Sequence, residues 1–332
     1  MRRDPMSAKL LEVDRLQTYF FTEAGTATAV DGVSFSLAGR EVVGIVGESG
    51  CGKSVTAHSI MRLVPSPGVI VGGQIRFEGN ELLTLPEKEM QSLRGNRISM
   101  VFQEPMSSLN PVFRIEDQIT EVLLRHTPMS RGEAAGRALE LLGQVGIPSP
   151  ENTLKEYPHR LSGGMRQRVM IAIAIACNPQ LIIADEPTTA LDVTIQAQIL
   201  DLLQQLRQSK GMAILLITHD LGIIAEVTER VIVMYAGRFV EEAPVEELFK
   251  NPLHPYTQGL MRSIPARSEL SGGGVGRRRL DTIPGVVPSL LALPPGCKFN
   301  TRCPHSFDKC FVSEPELAIP PGGGHPVRCW LY

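Results

Sequence analysis

The sequence predicts an α/β protein with a largely parallel sheet, and three observations carry that expectation. From residue 9 to about 264, short apolar runs alternate with helical stretches, the order in which strands and crossover helices build such a sheet. Val42 to Val46, Leu181 to Ala184, Ala213 to Thr218 and Val231 to Tyr235 are almost continuously apolar, as strands covered on both faces are. A glycine-rich segment follows the first of these runs and opens an apolar helix.

Between Gln103 and Ser162 the pattern changes. Ile119 to Leu124 and Ala134 to Val145 carry apolar residues at helical spacing with no strand between them, so residues 104–165 are expected to form a helical insert. Residues 265–332 are expected to form a small, loop-rich extension, introduced by Ser271-Gly272-Gly273-Gly274, Arg277-Arg278-Arg279 and then Pro294-Pro295, the composition of a flexible linker. That linker is expected to keep the extension apart from the main domain. No internal repeat is visible.

At 332 residues, 43% apolar and 20% charged, the chain has ample size for a core. With 33 Lys and Arg against 35 Asp and Glu, its formal charge of -2 lacks the footprint of a dedicated DNA binder, and nucleic acid is not expected as a partner. The longest apolar run, Val169 to Cys177, has 9 residues, against the roughly 18 that mark a transmembrane helix. Met1-Arg2-Arg3-Asp4-Pro5 has no apolar signal stretch, so a cytoplasmic location is expected. In that reducing compartment Cys297, Cys303, Cys310 and Cys329 suggest metal ligation before disulfides.

Three segments carry chemistry. Gly47-Glu48-Ser49-Gly50-Cys51-Gly52-Lys53-Ser54 fits G-x4-G-K-[ST] between strand and helix. Its glycines turn backbone N–H groups toward phosphate oxygens, Lys53 neutralises β/γ charge, and the Ser54 hydroxyl suits Mg2+. Leu181 to Ala184 runs into Asp185 and Glu186; one carboxylate suits Mg2+ and the next can polarise a water, although an acidic strand end is also a helix cap. Leu161-Ser162-Gly163-Gly164-Met165-Arg166-Gln167-Arg168 opens a helix whose unpaired N–H groups form a second anion site. An S-G-G turn alone is equally a cap. One chain cannot use both anion sites on one nucleotide.

Taken together, the motifs resemble an ABC-type ATPase. The P-loop, the signature Leu161 to Arg168 and the Walker B strand come in that family's order, Gln103 matches its Q-loop, Ala190-Leu191-Asp192 its D-loop, and His219 its switch histidine. The resemblance implies a P-loop ABC-type nucleotide-binding domain with a helical subdomain, over residues 9–264, and two such domains head to tail with ATP between one P-loop and the partner's signature. It assigns Glu186, His219 and Gln103 to catalysis and Ser54, Asp185 and Gln103 to Mg2+. It assigns Gly47, Ser49, Gly50, Cys51, Gly52, Lys53, Ser54, Ser162, Gly163, Gly164 and Asp192 to the nucleotide, with Phe20 stacking on adenine and Tyr19 as the neighbouring alternative.

Within the family, Gln103-Glu104-Pro105-Met106-Ser107-Ser108-Leu109-Asn110-Pro111 and Asn251-Pro252-Leu253-His254-Pro255-Tyr256-Thr257 look like the ATPases of dipeptide and oligopeptide importers, some of which import nickel. That implies a second, related ATPase subunit, two permease subunits, an extracytoplasmic peptide-binding protein, and a place on the cytoplasmic face of the inner membrane. A permease helix would rest on Met106 to Arg114. Non-transport ABC ATPases acting on DNA or ribosomes are the other class, but those carry long insertions or two cassettes.

The late cysteines run Cys297-x5-Cys303-x6-Cys310-x18-Cys329 in a segment with little periodicity and no visible core. Metal binding could supply its folding energy. Four thiolates suit a [4Fe-4S] cluster, whose ligand spacing is loose; zinc, which favours close C-x2-4-C pairs but could recruit His305 or His325, and free thiols are the alternatives. Some relatives among dipeptide-importer ATPases carry a cluster here, and the resemblance implies one. Because the linker intervenes, loss of such a centre is expected to leave the phosphate loop able to bind ATP.

Overall fold

The computed structural model of the chain describes residues 9–189, 191–263 and 282–332. The Met1–Pro5 segment, Ala190, the linker residues Ser271–Gly274 and Arg277–Arg279, and the boundary expected at 264 lie outside the described residues. The chain divides into two compact units: one from residues 1–11, 36–42 and 76–217, the other from 12–35, 43–75 and 218–332.

In the first unit, strands Ile98–Val101, Leu181–Asp185 and Ala213–Thr218 pair in parallel, with Ile98 opposite Leu181 and Leu181 opposite Ala213. All residues of the latter two strands are buried, which explains their unbroken apolar runs. The middle strand extends past Ala184 because Asp185 pairs with Ile217. Helices Ile115–His126 and Arg131–Gln144 bury Ile115, Ile119 and Leu123, and Ala134, Ala138, Leu141 and Leu142, the spacing of one helical face. The second of them starts ahead of the apolar stretch at Ala134 because Ser130 and Glu133 form a capping box, each side chain bonding the other's backbone N–H. Residues 104–162 contain no strand among the described residues.

In the second unit, strand Val42–Val46 pairs in parallel with Arg230–Tyr235, which pairs antiparallel with Arg238–Pro244. A separate sheet places Gly25–Ala38, Lys9–Thr22 and Gly68–Phe77 side by side. The unit's largest buried side chains include Tyr235, Tyr256 and Phe299. Their ring centroids are 4.7 Å apart for Tyr235 and Tyr256, 5.2 Å for Tyr235 and Phe299, and 5.5 Å for Tyr256 and Phe299, within the range of favourable aromatic pairs.

Phe299 belongs to the segment expected to lack a core. That segment is loop-rich, with Asp308–Val312 its one helix among the described residues. It is packed all the same: Arg328 N–H donates to Val240 O at 2.8 Å, Glu242 N–H to Pro326 O at 3.0 Å, and Val327 bridges Glu241. Core and backbone partners therefore come from the strands and helices of the second unit rather than from a metal centre alone. Replacing Phe299 by Ala should destabilise the chain by about 3 kcal/mol or more in urea unfolding; a cost below about 1 kcal/mol, the scale of a surface change, would show that the extension is only loosely attached.

Candidate nucleotide site

In the second unit the strand Val42–Val46 delivers the chain into Gly47-Glu48-Ser49-Gly50-Cys51-Gly52, and the helix Lys53–Ile60 leaves it. Gly52 caps that helix at φ 109°, and a Cβ on it would lie 2.1 Å from Ala29 O, so only glycine fits. The Cys51 carbonyl accepts from Gly237 N–H at 2.9 Å, tying the loop to the turn after Arg230–Tyr235. Lys53 is 4% exposed, and its ammonium donates to Gly47 O at 2.7 Å and Glu48 O at 3.1 Å. Cys51 is buried against the loop, and burial pushes its thiol up. Gly47 is buried, Ser49 and Gly50 are exposed, and Ser54 stands in the first helical turn.

Glu48 is held at both ends. Its N–H donates to the Tyr256 hydroxyl at 2.8 Å, and its carboxylate receives Arg302 Nη1 at 2.7 Å and Nη2 at 3.1 Å. Arg302 lies in the extension. The linker thus does not isolate the extension from the phosphate loop; a two-pronged ion pair joins them.

The first unit carries the carboxylates and the signature. Asp185 ends its strand and is buried; Glu186 follows at φ 46°, a left-handed conformation that costs a non-glycine residue of order 1 kcal/mol. Its N–H donates to Ile217 O at 2.8 Å, holding the turn. Its carboxylate Oε2 accepts from Gln103 Nε2 at 3.0 Å and Thr189 Oγ1 at 2.8 Å. Gln103 and Glu186, far apart in sequence, are thereby brought together.

Ser162 caps the helix Gly163–Ile175 through its hydroxyl, which accepts from Met165 N–H at 3.3 Å. Gly164 lies against Ile195, where a Cβ would sit 2.8 Å from the Ile195 methyl group. This glycine therefore has a packing role, which the sequence reading of it as a phosphate-approach position did not include. Asp192 caps the helix Val193–Lys210, accepting from Ile195 N–H at 3.0 Å.

In the second unit His219 is exposed between the strand Ala213–Thr218 and the helix Leu221–Val227, whose N-cap is Asp220. Phe20 is half-buried, with its ring against Gly68. Tyr19 is engaged elsewhere: its hydroxyl donates to Asp31 Oδ1 at 3.0 Å.

Cys297, Cys303, Cys310 and Cys329 are free thiols. Burial pushes Cys297 up to about 11, and the neighbouring Cys329, Cys310 and Cys303 add to the rise; Cys329 is pushed up to about 11 by burial, with Cys303 and Cys310 again adding. Cys297 N–H donates to Cys310 O at 2.9 Å, which sets these two side by side. Among the described residues, however, no three His, Cys, Asp or Glu side chains come together as a group that could hold a metal ion. His325 is engaged through one ring nitrogen: its Nε2 is 2.7 Å from the buried Glu241 carboxylate, while its buried Nδ1 has no hydrogen-bond partner among the described residues.

Tyr256 and Arg302 are absent from the sequence-derived site. Tyr256 lies in the quoted Asn251 to Thr257 segment, which could have flagged it; a single arginine between two cysteines carried no signal.

No helix among the described residues is long and apolar enough to cross a membrane. Residues 30–189 match the family described as ABC transporter, and residues 240–310 match the oligopeptide/dipeptide transporter C-terminal region. The chain is 55% identical over 324 residues to the oligopeptide transport ATP-binding protein AppD of Bacillus subtilis, covering 97% of each chain. It is 48% identical to the dipeptide transport ATP-binding protein DppD of the same organism, covering 97% of this chain and 95% of the relative. The dimeric, post-hydrolysis ATP-binding cassette MJ0796 bound to ADP and Pi superposes with a TM-score of 0.64 at 28% identity, over 71% of this chain and 98% of that one. With phosphate loop, signature and paired carboxylates all present, and with that identity along nearly its whole length, the chain belongs to the ABC transporter ATPases, in the group that carries the oligopeptide/dipeptide transporter C-terminal region.

Proposed function

We propose that the chain is one of two ATPase subunits driving import of dipeptides or oligopeptides through a pair of permease subunits, at the cytoplasmic face of the inner membrane and fed by an extracytoplasmic peptide-binding protein. The observation that carries the hydrolytic part is the Glu186 carboxylate, held at a strand end by Gln103 and Thr189 in a strained backbone conformation. A carboxylate fixed in this way is suited to accept a proton from water as it attacks a phosphoryl group. The peptide part rests on the relatives named for oligopeptide and dipeptide transport.

In this reading the loop N–H groups from Gly47 to Ser54 and the Lys53 ammonium bind the β- and γ-phosphates. The Ser54 hydroxyl and the Asp185 carboxylate are hard oxygen donors of the kind Mg2+ takes, and Gln103 senses that ion. Mg2+ would neutralise charge as the terminal phosphoryl group leaves. His219 steadies the γ-phosphate and the attacking water, and Phe20 stacks on adenine. The helix start at Ser162, Gly163 and Gly164 closes on nucleotide held by the partner ATPase, with Asp192 alongside, so turnover requires head-to-tail pairing. Met106, Val112 and Phe113 are exposed apolar side chains, Val112 to 73%, and offer the permease a docking face. Residues 9–264 act as the nucleotide-binding domain and 265–332 as its extension.

For the extension we propose a [4Fe-4S] cluster on Cys297, Cys303, Cys310 and Cys329. What supports it is the donor set: four thiols in one segment, Cys310 buried and Cys297, Cys303 and Cys329 partly buried, which a cluster spanning several atoms can bridge without the convergence that one ion demands. A single zinc ion lacks such a converged set among the described residues. When bound, such a group would staple the loops together by exchanging thiol protons for metal.

Two outcomes are expected. Glu186→Gln should leave ATP binding intact, let the nucleotide-bound dimer accumulate, and lower hydrolysis by the assembled transporter at least about a hundredfold, the scale of general-base effects; near-normal hydrolysis would remove Glu186 from that role. Anaerobically purified chain should contain about four irons, the content of one cubane cluster, lost on Cys303→Ser; one zinc and no iron would overturn the cluster reading and leave the ATPase intact.

A further inference from the structure

The two cysteines that open the extension enclose Lys298, Phe299, Asn300, Thr301 and Arg302. Phe299 enters the aromatic core, and Cys297 and Cys303 pack against that same cluster. Arg302 is held almost fully inside. Its side chain is 4% exposed, its Nε donates to Pro284 O at 3.0 Å, Nη1 lies 3.4 Å from the Tyr235 hydroxyl, and the guanidinium sits 5.8 Å from the Tyr235 ring centroid and 5.9 Å from that of Phe299. The planar fork therefore has one orientation, and in it the two terminal nitrogens meet both oxygens of Glu48.

Glu48 is the second residue of a loop that reads as a phosphate cradle, where a carboxylate is an electrostatic liability. Left unpaired, it would repel the β- and γ-phosphates and compete for Lys53, whose ammonium already reaches the Glu48 carbonyl. We propose that Arg302 is a positioning residue for the phosphate loop. It neutralises the Glu48 carboxylate and turns it toward the aromatic core, so that the carboxy-terminal segment sets the affinity of the loop for nucleotide. Arg302 touches no phosphate in this scheme; it acts wholly through Glu48. By thermodynamic reciprocity, nucleotide bound on the loop tightens the extension to the same degree.

This inference rests on reading Gly47–Ser54 as the phosphate site, and the test separates the two. Mg-ATP affinity is measured by calorimetry on the full-length chain for the wild type, Arg302→Met, Glu48→Gln, the double variant and Lys53→Ala. Arg302→Met should weaken binding about tenfold when Glu48 is present, within the usual range of coupling between sites. In the Glu48→Gln background, where no carboxylate needs a counter-ion, the same change should cost less than about twofold. A purely structural role for Arg302, including lost packing on Tyr235 and Phe299, would cost the same in both backgrounds. Equal losses, or no loss in either, overturn the proposal. If Lys53→Ala also binds Mg-ATP normally, the phosphate-loop reading itself fails.

Discussion

A phosphate cradle works only if the polar groups of its own loop are satisfied in directions that leave its other amides pointing at the ligand. In this chain that constraint falls on Glu48. Its carbonyl accepts from Lys53, its amide is taken by Tyr256, and its carboxylate is taken by Arg302. Tyr256 comes from the helix Pro255–Arg262 and Arg302 from the extension, so two distant stretches of chain are recruited to hold one loop residue. The aromatic cluster of Tyr235, Tyr256 and Phe299 follows from the same need, because it fixes both partners of Glu48 at once.

The first unit solves a similar problem by local strain. Glu186 stands in a left-handed conformation at the end of a buried parallel strand, with its amide satisfied by Ile217 and its carboxylate by Gln103 and Thr189. Strain of this kind persists where neighbours over-determine it, and it is concentrated at functional sites. Parallel pairing of Asp185 with Ile217 puts the carboxylate pair at the strand end rather than within the sheet.

The contiguous motifs were legible because each is one loop or strand end whose residue types state their own chemistry. The strands at Val42, Leu181 and Ala213 were legible because burial on both faces leaves an unbroken apolar run. The start of Arg131–Gln144 was not, because apolar spacing marks a face and not a cap; Ser130 and Glu133 were the missing signal. Least legible was the extension. Phe299 packs on Tyr235 and Tyr256, and Arg302 reaches Glu48, across sequence separations for which neither periodicity nor spacing offers a guide. A segment rich in proline, glycine and cysteine reads as a detached metal module, while its Phe299 packs in the core and its Arg302 on the phosphate loop.

The central claim is that phosphate loop and carboxy-terminal segment form one cooperative element of the second unit. Hydrogen exchange on the full-length chain tests it most directly, since amide protection reports the opening of such elements as units. On saturation with Mg-ATP, the amides of residues 47–54 should slow together with those of residues 299–303, where the Arg302 and Cys303 N–H groups donate to Phe299 O, each at 3.0 Å. Slowing confined to residues 47–54, with the extension unchanged, would contradict the account.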